Sequence, residues 1–248
     1  MASPVRAKKH LGQHFLRDEN IAMKIVDGLA PLEFESLVEV GPGDGVLSKY
    51  LFEKYNNLEL FDVDQESIDY LKRTYPMHMD KIKNQDFLQW KAEGDKAVIG
   101  NFPYNISSQI VFKIIENKHH VVGMVGMFQK EVAERIASKK GSRVYGITSV
   151  LTQAYYDVEY LFTVDPQAFE PPPKVQSGVI ILKRKEKLKL DCDEKAFKSI
   201  VKRVFNQRRK MLRKSLKDLI DEENSKLIDR FLTLRPEQLD FTEFVELT

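Results

Sequence analysis

The 248-residue chain reads as an α/β fold in which a mostly parallel sheet, with one antiparallel strand, is covered by helices and followed by a small helical domain. Three observations predict this. Short apolar runs of strand length alternate with helical apolar spacing between residues 37 and 128, the pattern of parallel strands joined by crossover helices. A glycine-rich turn, Gly41-Pro42-Gly43-Asp44-Gly45, follows the first of those runs. Beyond Lys183 the composition turns charged and helical, which places the sheet domain with its basic N-terminal segment at 1–186 and the helical domain at 187–248.

In chain order, Arg6, Lys8, Lys9 and Arg17 make the first 20 residues basic, and Asn20 or Asp18 caps a helix through Ile21, Ile25 and Leu29. Residues 37–41 form a buried strand entering the glycine turn, and 46–55 have helical spacing. Strands follow at 58–63, near Ile82, at 97–100 and at 121–128. Helices through Ile68 and Leu71 and over 107–116 lie between them. Residues 130–138 and 147–155 read as helices. The strands 158–164 and 175–182, joined by Phe169-Glu170-Pro171-Pro172-Pro173, make an antiparallel pair at one sheet edge.

A hydrophobic fraction of 42% suffices for one sizeable core. The single cysteine, Cys192, excludes an internal disulfide framework, and the opening MASPVRAKKHLGQHF lacks the apolar stretch of a signal peptide. No window approaches the roughly 20 apolar residues of a membrane span. These features predict a soluble, cytoplasmic protein without a membrane partner, and a monomer is expected. The five histidines, His10, His14, His78, His119 and His120, fit no zinc spacing with Cys192, so no metal is expected. A net charge of +2 does not by itself point to nucleic acid, but its distribution does. Residues 202–217 carry eight Lys or Arg and no acid, whereas 218–248 carry nine acids and three basic residues.

The glycine turn stands where a strand ends and a helix begins, so its backbone can approach a nucleotide-like ligand without Cβ interference. A tight strand-to-helix connection is the plainer reading. The spacing of Gly41, Gly43 and Gly45 departs from the GxGxxG dinucleotide pattern, which disfavours a nicotinamide cofactor. Asp62, at the end of the second strand, suits two ribose hydroxyls, with Asp64 competing for the role. Asp86 suits an exocyclic adenine amine, with Phe87 beside the ring. Taken alone, either acid reads as a turn or helix-cap residue.

Asn101-Phe102-Pro103-Tyr104 ends the fourth strand, at the sheet edge where open α/β sheets bind ligands. Proline stiffens the turn and offers no N–H, so nearby carbonyls stay available as acceptors. An amine conjugated to a purine is a poor nucleophile because its lone pair is delocalised. Acceptors from Asn101 and the Phe102 carbonyl orient both N–H bonds and favour a more tetrahedral nitrogen. Tyr104 stacks the base, a contact worth about 1–3 kcal/mol. Positioning and electrostatics, rather than a general base, carry such a reaction.

With these residues in order, the chain resembles the ribosomal RNA adenine dimethyltransferases of the KsgA type over nearly its whole length. The matching stretches are Gly12-Gln13-His14-Phe15-Leu16, the run from Glu39 to Gly45, the run from Asn101 to Ser107, Gln129-Lys130-Glu131-Val132-Ala133, the run from Phe169 to Ser177, and Gln207-Arg208-Arg209-Lys210. The resemblance implies a Rossmann-like class I methyltransferase sheet, S-adenosylmethionine as methyl donor, and dimethylation at N6 of two adjacent adenosines near the 3′ end of small-subunit ribosomal RNA in an assembling 30S particle. It further implies that His14 and Leu16 close over the donor, Gly41 approaches its amino-acid portion, Gly43 shares that cradle, and Asp62 and Asp86 hold ribose and adenine. Asn101 touches donor and target. Phe169 faces Tyr104 across the target base, or else is a buried turn residue. Three positions depart from the family's commonest pattern: Asp62 for Glu, His14 for Asn and Phe102 for Leu. The shorter Asp62 puts donor affinity in question.

Arg208, Arg209, Lys210, Arg213, Lys214 and Lys217 are expected on one helix whose other face carries Val204, Phe205, Leu212 and Leu216. That strip suits RNA phosphates, with Lys8 and Lys9 extending it, and reads otherwise as a solvated helix face. Two other functions compete: the related antibiotic-resistance methyltransferase acting on large-subunit RNA, and a ribosome-assembly factor that keeps the fold without catalysis.

Overall fold

The structure, a computed structural model, describes residues 5–220 and 222–248; the first four residues of the basic N-terminal segment, and Asp221 among the acids counted above, lie outside them. The chain divides into two compact units, Met1–Glu134 with Asp157–Arg184, and Arg135–Tyr156 with Lys185–Thr248.

In the first unit the short strand β1 (Phe15–Leu16) precedes α1 (Glu19–Asp27), whose N-terminus is capped by Asp18 accepting from the Asn20 and Ile21 amides at 2.9 and 3.1 Å. Then come β2 (Ser36–Val40), α2 (Ser48–Lys54), β3 (Leu58–Asp62), α3 (Gln65–Thr74), β4 (Ile82–Asn84), β5 (Lys96–Asn101), α4 (Ser107–Glu116) and β6 (Val121–Gln129). Past α5 (Lys130–Ala137) and α6 (Ile147–Gln153), the sheet is completed by β7 (Tyr156–Val164) and β9 (Ser177–Arg184), with β8 (Phe169–Glu170) between them.

The seven-stranded sheet has the order β4-β3-β2-β5-β6-β9-β7. The first five of these run parallel, and β9 is antiparallel to β6, pairing Val125 with Ile181 and Gln129 with Ser177. This is a doubly wound sheet, mostly parallel with β9 antiparallel, as the sequence pattern predicts. After β2 the chain moves outward through β3 and β4, then returns to the other side of β2 as β5. The order therefore reverses between β2 and β5, which opens a crevice at their carboxyl ends. The glycine turn leaves β2 there, and the Asn101 turn leaves β5 there. A separate antiparallel ladder pairs β1 with β8, matching Leu16 to Phe169.

The second unit is helical. It holds α6, α7 (Glu194–Phe205), α8 (Leu212–Ser215), α9 (Glu222–Leu232) and α10 (Phe241–Glu246). Residues 135–156 join it, where the sequence pattern placed them in the sheet domain. Tyr145 explains the difference: it is fully buried, with its ring 6.2 Å from that of Phe205, which lies 5.9 Å from Phe244. Strand-helix alternation has no means of announcing that contact.

The basic run is also not one helix. α7 ends at Phe205, residues 206–210 form consecutive turns, and α8 is a single short helix. Between Phe205 and Leu212 the only apolar residue is Met211, which is exposed. A helix continued through that stretch buries nothing, and most helical stability in proteins comes from a buried face.

Candidate active site

The crevice at the ends of β2, β3 and β5 forms a cavity of about 240 Å³, closed on one side by residues 11–16. Gly41, Gly43, Asp62, Asp86, Asn101 and Tyr104 all line it, as do His14 and Leu16. Gly43 has a φ of 57°, and a Cβ there stands only 2.8 Å from the Phe15 ring, so the residue-11–16 segment can lie on the turn only because position 43 has no side chain.

The two candidate ribose acids separate clearly. Asp62 is 7% exposed and lies on the cavity wall, accepting from the Gly43 amide at 3.3 Å and the Asp64 amide at 2.9 Å. Burial raises its carboxyl above the usual range against those hydrogen bonds. Asp64 caps α3 and accepts from the Lys8 ammonium and from Gln13 Nε2 at 3.1 Å. Burial pushes it up, but Lys8 and Gln13 prevail and hold it below the ordinary carboxylate value. Asp64 thus has a structural role, and so has Lys8, which also pairs with Glu66 at 3.2 Å. Lys8, expected to contact RNA, is engaged in fastening the N-terminal segment, and Lys9 is exposed.

Glu39 was not singled out by its motif, yet it lines the cavity at 1% exposure, accepting from Ser48 Oγ at 2.6 Å. Burial pushes its carboxyl up to about 8 despite the Ser48 bond, with the neighbouring Asp62 charge adding to the rise. The ordinary value is 4.5, so between about pH 4.5 and 8 the folded chain holds a proton that the unfolded chain has lost. The stability contributed by protonated Glu39 is full below that window and is lost as pH rises through it. Glu39→Gln is expected to flatten the fall in Tm between about pH 5 and 8; a wild-type slope in the variant would refute the assignment.

At β5, Asn101 Nδ2 donates to the His14 carbonyl at 2.8 Å, leaving Oδ1 as an acceptor on the cavity wall. The Phe102 amide donates to the Met127 carbonyl of β6 at 3.1 Å, and the Phe102 ring is buried over Gly100 and Gly126, 5.0 Å from Phe128. The ring anchors the turn, and Phe102 is among the residues lining the cavity. Pro103 accepts from the Ile106 amide at 3.3 Å. Tyr104 shares a hydrogen bond of 2.5 Å with Ser177 Oγ, and burial raises its phenol above the usual range against that bond. Its ring lies 5.4 Å from the His14 ring. His14 Nδ1 is 2.8 Å from the Pro171 carbonyl. A carbonyl only accepts, so Nδ1 carries the proton.

Two expected residues stand elsewhere. Phe169 is 4% exposed and belongs to the main apolar cluster, outside the cavity wall, because its pairing with Leu16 turns it into the core. Phe87 is buried and stacked on Trp90 at 5.3 Å, and the wall beside Asp86 carries Leu88 instead. Asp86 is exposed and accepts from the Leu88 amide at 2.8 Å. In the second unit Arg209, Lys210 and Arg213 are exposed, while Arg208 donates to the Ser142 carbonyl at 3.1 Å.

The lining fits an adenosyl sulfonium donor. The carboxylate of Asp62, on the cavity wall, has the chemistry to accept from a ribose diol, and the glycine backbone leaves room for an amino-acid portion. Val63 and Leu88 offer apolar surface to a purine. The Asp62 carboxylate also suits a cationic ligand, whereas Glu39 stands beside it in its protonated form. No group of three His, Cys, Asp or Glu able to hold a metal occurs among the described residues.

Comparison with known proteins adds to this. Residues 5–237 match the family model described as ribosomal RNA adenine dimethylase. The chain is 52% identical over 249 residues to the ribosomal RNA small subunit methyltransferase A of Flavobacterium johnsoniae, covering 98% of this chain and 95% of that one. It is 51% identical to the protein of the same name from Cytophaga hutchinsonii, covering 98% and 96%. A dimethyladenosine transferase from Plasmodium falciparum has the same fold, with a TM-score of 0.82 over 94% of this chain and 96% of that one at 24% identity. The 23S rRNA methyltransferase ErmE follows with a TM-score of 0.73, 23% identity and coverage of 94% and 98%.

Proposed function

The chain belongs to the ribosomal RNA adenine dimethylase family, and from that premise we propose that it transfers methyl groups from S-adenosylmethionine to N6 of two adjacent adenosines near the 3′ end of small-subunit ribosomal RNA. It acts as a monomer in the cytoplasm, on the assembling small subunit. The observation that carries this reading is the convergence of the Asn101–Tyr104 turn with Gly41, Gly43 and Asp62 on one cavity. The curated relatives named above, alike over nearly their whole length, favour the small subunit over the large.

Bound donor supplies an electrophilic methyl on a positively charged sulfur. The chain's own residues supply position. Asn101 Oδ1 and the Phe102 carbonyl accept the two N–H bonds of the adenine amine and turn its lone pair out of conjugation. Tyr104, fixed by Ser177, stacks the base. His14, tied to the Pro171 carbonyl and holding Asn101 through its own carbonyl, keeps the residue-11–16 segment over the site. Phe169 is buried at the foot of the proline-rich turn, paired with Leu16, which favours the reading of a buried turn residue over that of a second wall for the base. The amine gains the methyl carbon as the carbon–sulfur bond breaks toward sulfur, and the amine proton then leaves to solvent. No general base is needed.

The test supplies labelled donor and unmethylated small-subunit particles and examines the digested RNA. N6,N6-dimethyladenosine is expected; unlabelled RNA would leave a non-catalytic assembly role.

A further inference from the structure

We infer that the loop of residues 138–145, in the second unit, is an RNA-contacting element in which Arg143 meets a phosphate, and that Arg208 is the residue that positions this loop rather than an RNA ligand. The inference rests on the RNA substrate proposed above and adds a surface to it.

The segment Lys139-Lys140-Gly141-Ser142-Arg143 carries three cations and no acid. Loops of this composition are usually mobile and solvated, and this one is held at four points. Gly141, at a φ of 85°, donates its amide to the Glu237 carbonyl at 2.6 Å. Lys140 pairs with Asp240 and Glu243, both at 2.8 Å. Tyr145 is buried and donates its amide to the Ser142 carbonyl at 3.3 Å. Arg208 donates to that same Ser142 carbonyl, and its Nε stands 3.9 Å from Glu237.

These bonds consume Lys140 and Arg208 but leave the loop's outer cations available. Lys139 and Arg143 are exposed and have no ion-pair partner among the described residues. A Cβ built on Gly141 meets nothing within 4 Å, so the loop tip is open. Arg208 joins the tip to the turn that presents exposed Arg209 and Lys210. Two basic segments distant in sequence are thereby locked into one pre-formed cationic surface, the arrangement that gives phosphate binding a geometry as well as a charge. An acidic protein surface would answer the charge as well. The bidentate forks of Arg143 and Arg209 suit phosphate oxygens, and the eight-cation run beside them matches a polyanion.

Full-length protein is titrated with deproteinised, unmethylated small-subunit RNA over a range of KCl concentrations, and amide hydrogen exchange is followed in the RNA-free protein. Arg143→Ala is expected to weaken binding about fivefold and to lower the salt slope by about one counterion, with exchange in 141–145 unchanged. Arg208→Ala is expected to accelerate exchange in 141–145 and weaken binding, and Arg208→Lys to restore only part of either. A wild-type salt slope in Arg143→Ala, alongside a reduced one in Arg209→Ala, overturns the loop assignment and leaves the proposed function standing. Wild-type slopes in Arg143→Ala, Arg208→Ala and Arg209→Ala together overturn the inference, and methylation of RNA by the same preparations then shows whether the proposed function falls with it. Unchanged exchange in Arg208→Ala overturns the positioning role.

Discussion

Asn101→Ala is expected to reduce methyl transfer by about 10²- to 10³-fold, the scale seen when one preorganised polar group is removed from a reacting centre. The loss should appear mainly in kcat, because the lost acceptor matters most when the amine becomes tetrahedral and takes on positive charge. Stability should fall by only about 1 kcal/mol, the size of one side-chain hydrogen bond, here the one from Nδ2 to the His14 carbonyl. Asn101→Asp separates the two duties of the side chain. It keeps an acceptor but loses the donor that meets His14, and it sets a carboxylate against that carbonyl. Asp should therefore leave the segment over the cavity loosened and remain well below wild type. Steady-state kinetics with a thermal melt on the same samples checks both, and an Ala variant with unchanged kcat would remove Asn101 from the chemistry.

Gly126→Ala is the second large effect, and it comes from a residue that touches neither donor nor base. A Cβ at position 126 stands 2.2 Å from Phe102 Cε2 and 2.8 Å from Cδ2. The Phe102 ring cannot swing away freely, since Phe128 lies against it and Gly100 beneath it. Overpacking of this kind costs about 1–3 kcal/mol and sometimes more. Because Phe102 belongs to the turn proposed to hold the amine, activity should fall with stability. Phe102→Leu in the same chain removes the colliding ring atoms and should recover much of both. A double-mutant cycle measures this coupling, and simple additivity would show that the two residues do not share space in solution.

Much of this was legible before any coordinates. The strand-helix alternation predicts the sheet, and the order of Gly41, Asp62, Asp86 and Asn101 predicts that they meet on one cavity, because side chains at the carboxyl ends of parallel strands converge whatever lies between them. Contacts that depend on side chains meeting across the fold were not legible. Nothing in Asp62-Val63-Asp64 says that Lys8 will reach the second acid and leave the first to the cavity. Phe169 carried an aromatic signature, but its register against Leu16 buries it. Glu39 does carry a signal in the sequence: a glutamate amid Leu37, Val38 and Val40 in a buried strand needs either a partner or a proton, and has Ser48 and a raised pKa. The basic run misled for the opposite reason. Its charge was plain, but helix continuation depends on a buried stripe that residues 206–211 lack.

The most direct measurement of the central claim is a competition in one reaction. Unmethylated small-subunit particles and large-subunit RNA are offered together with labelled donor, and the modified positions are mapped. N6,N6-dimethyladenosine is expected at two adjacent residues near the 3′ end of the small-subunit RNA, with that product lost in Asn101→Ala. Label confined to the large-subunit RNA, or dimethylation that survives in Asn101→Ala, would contradict that claim.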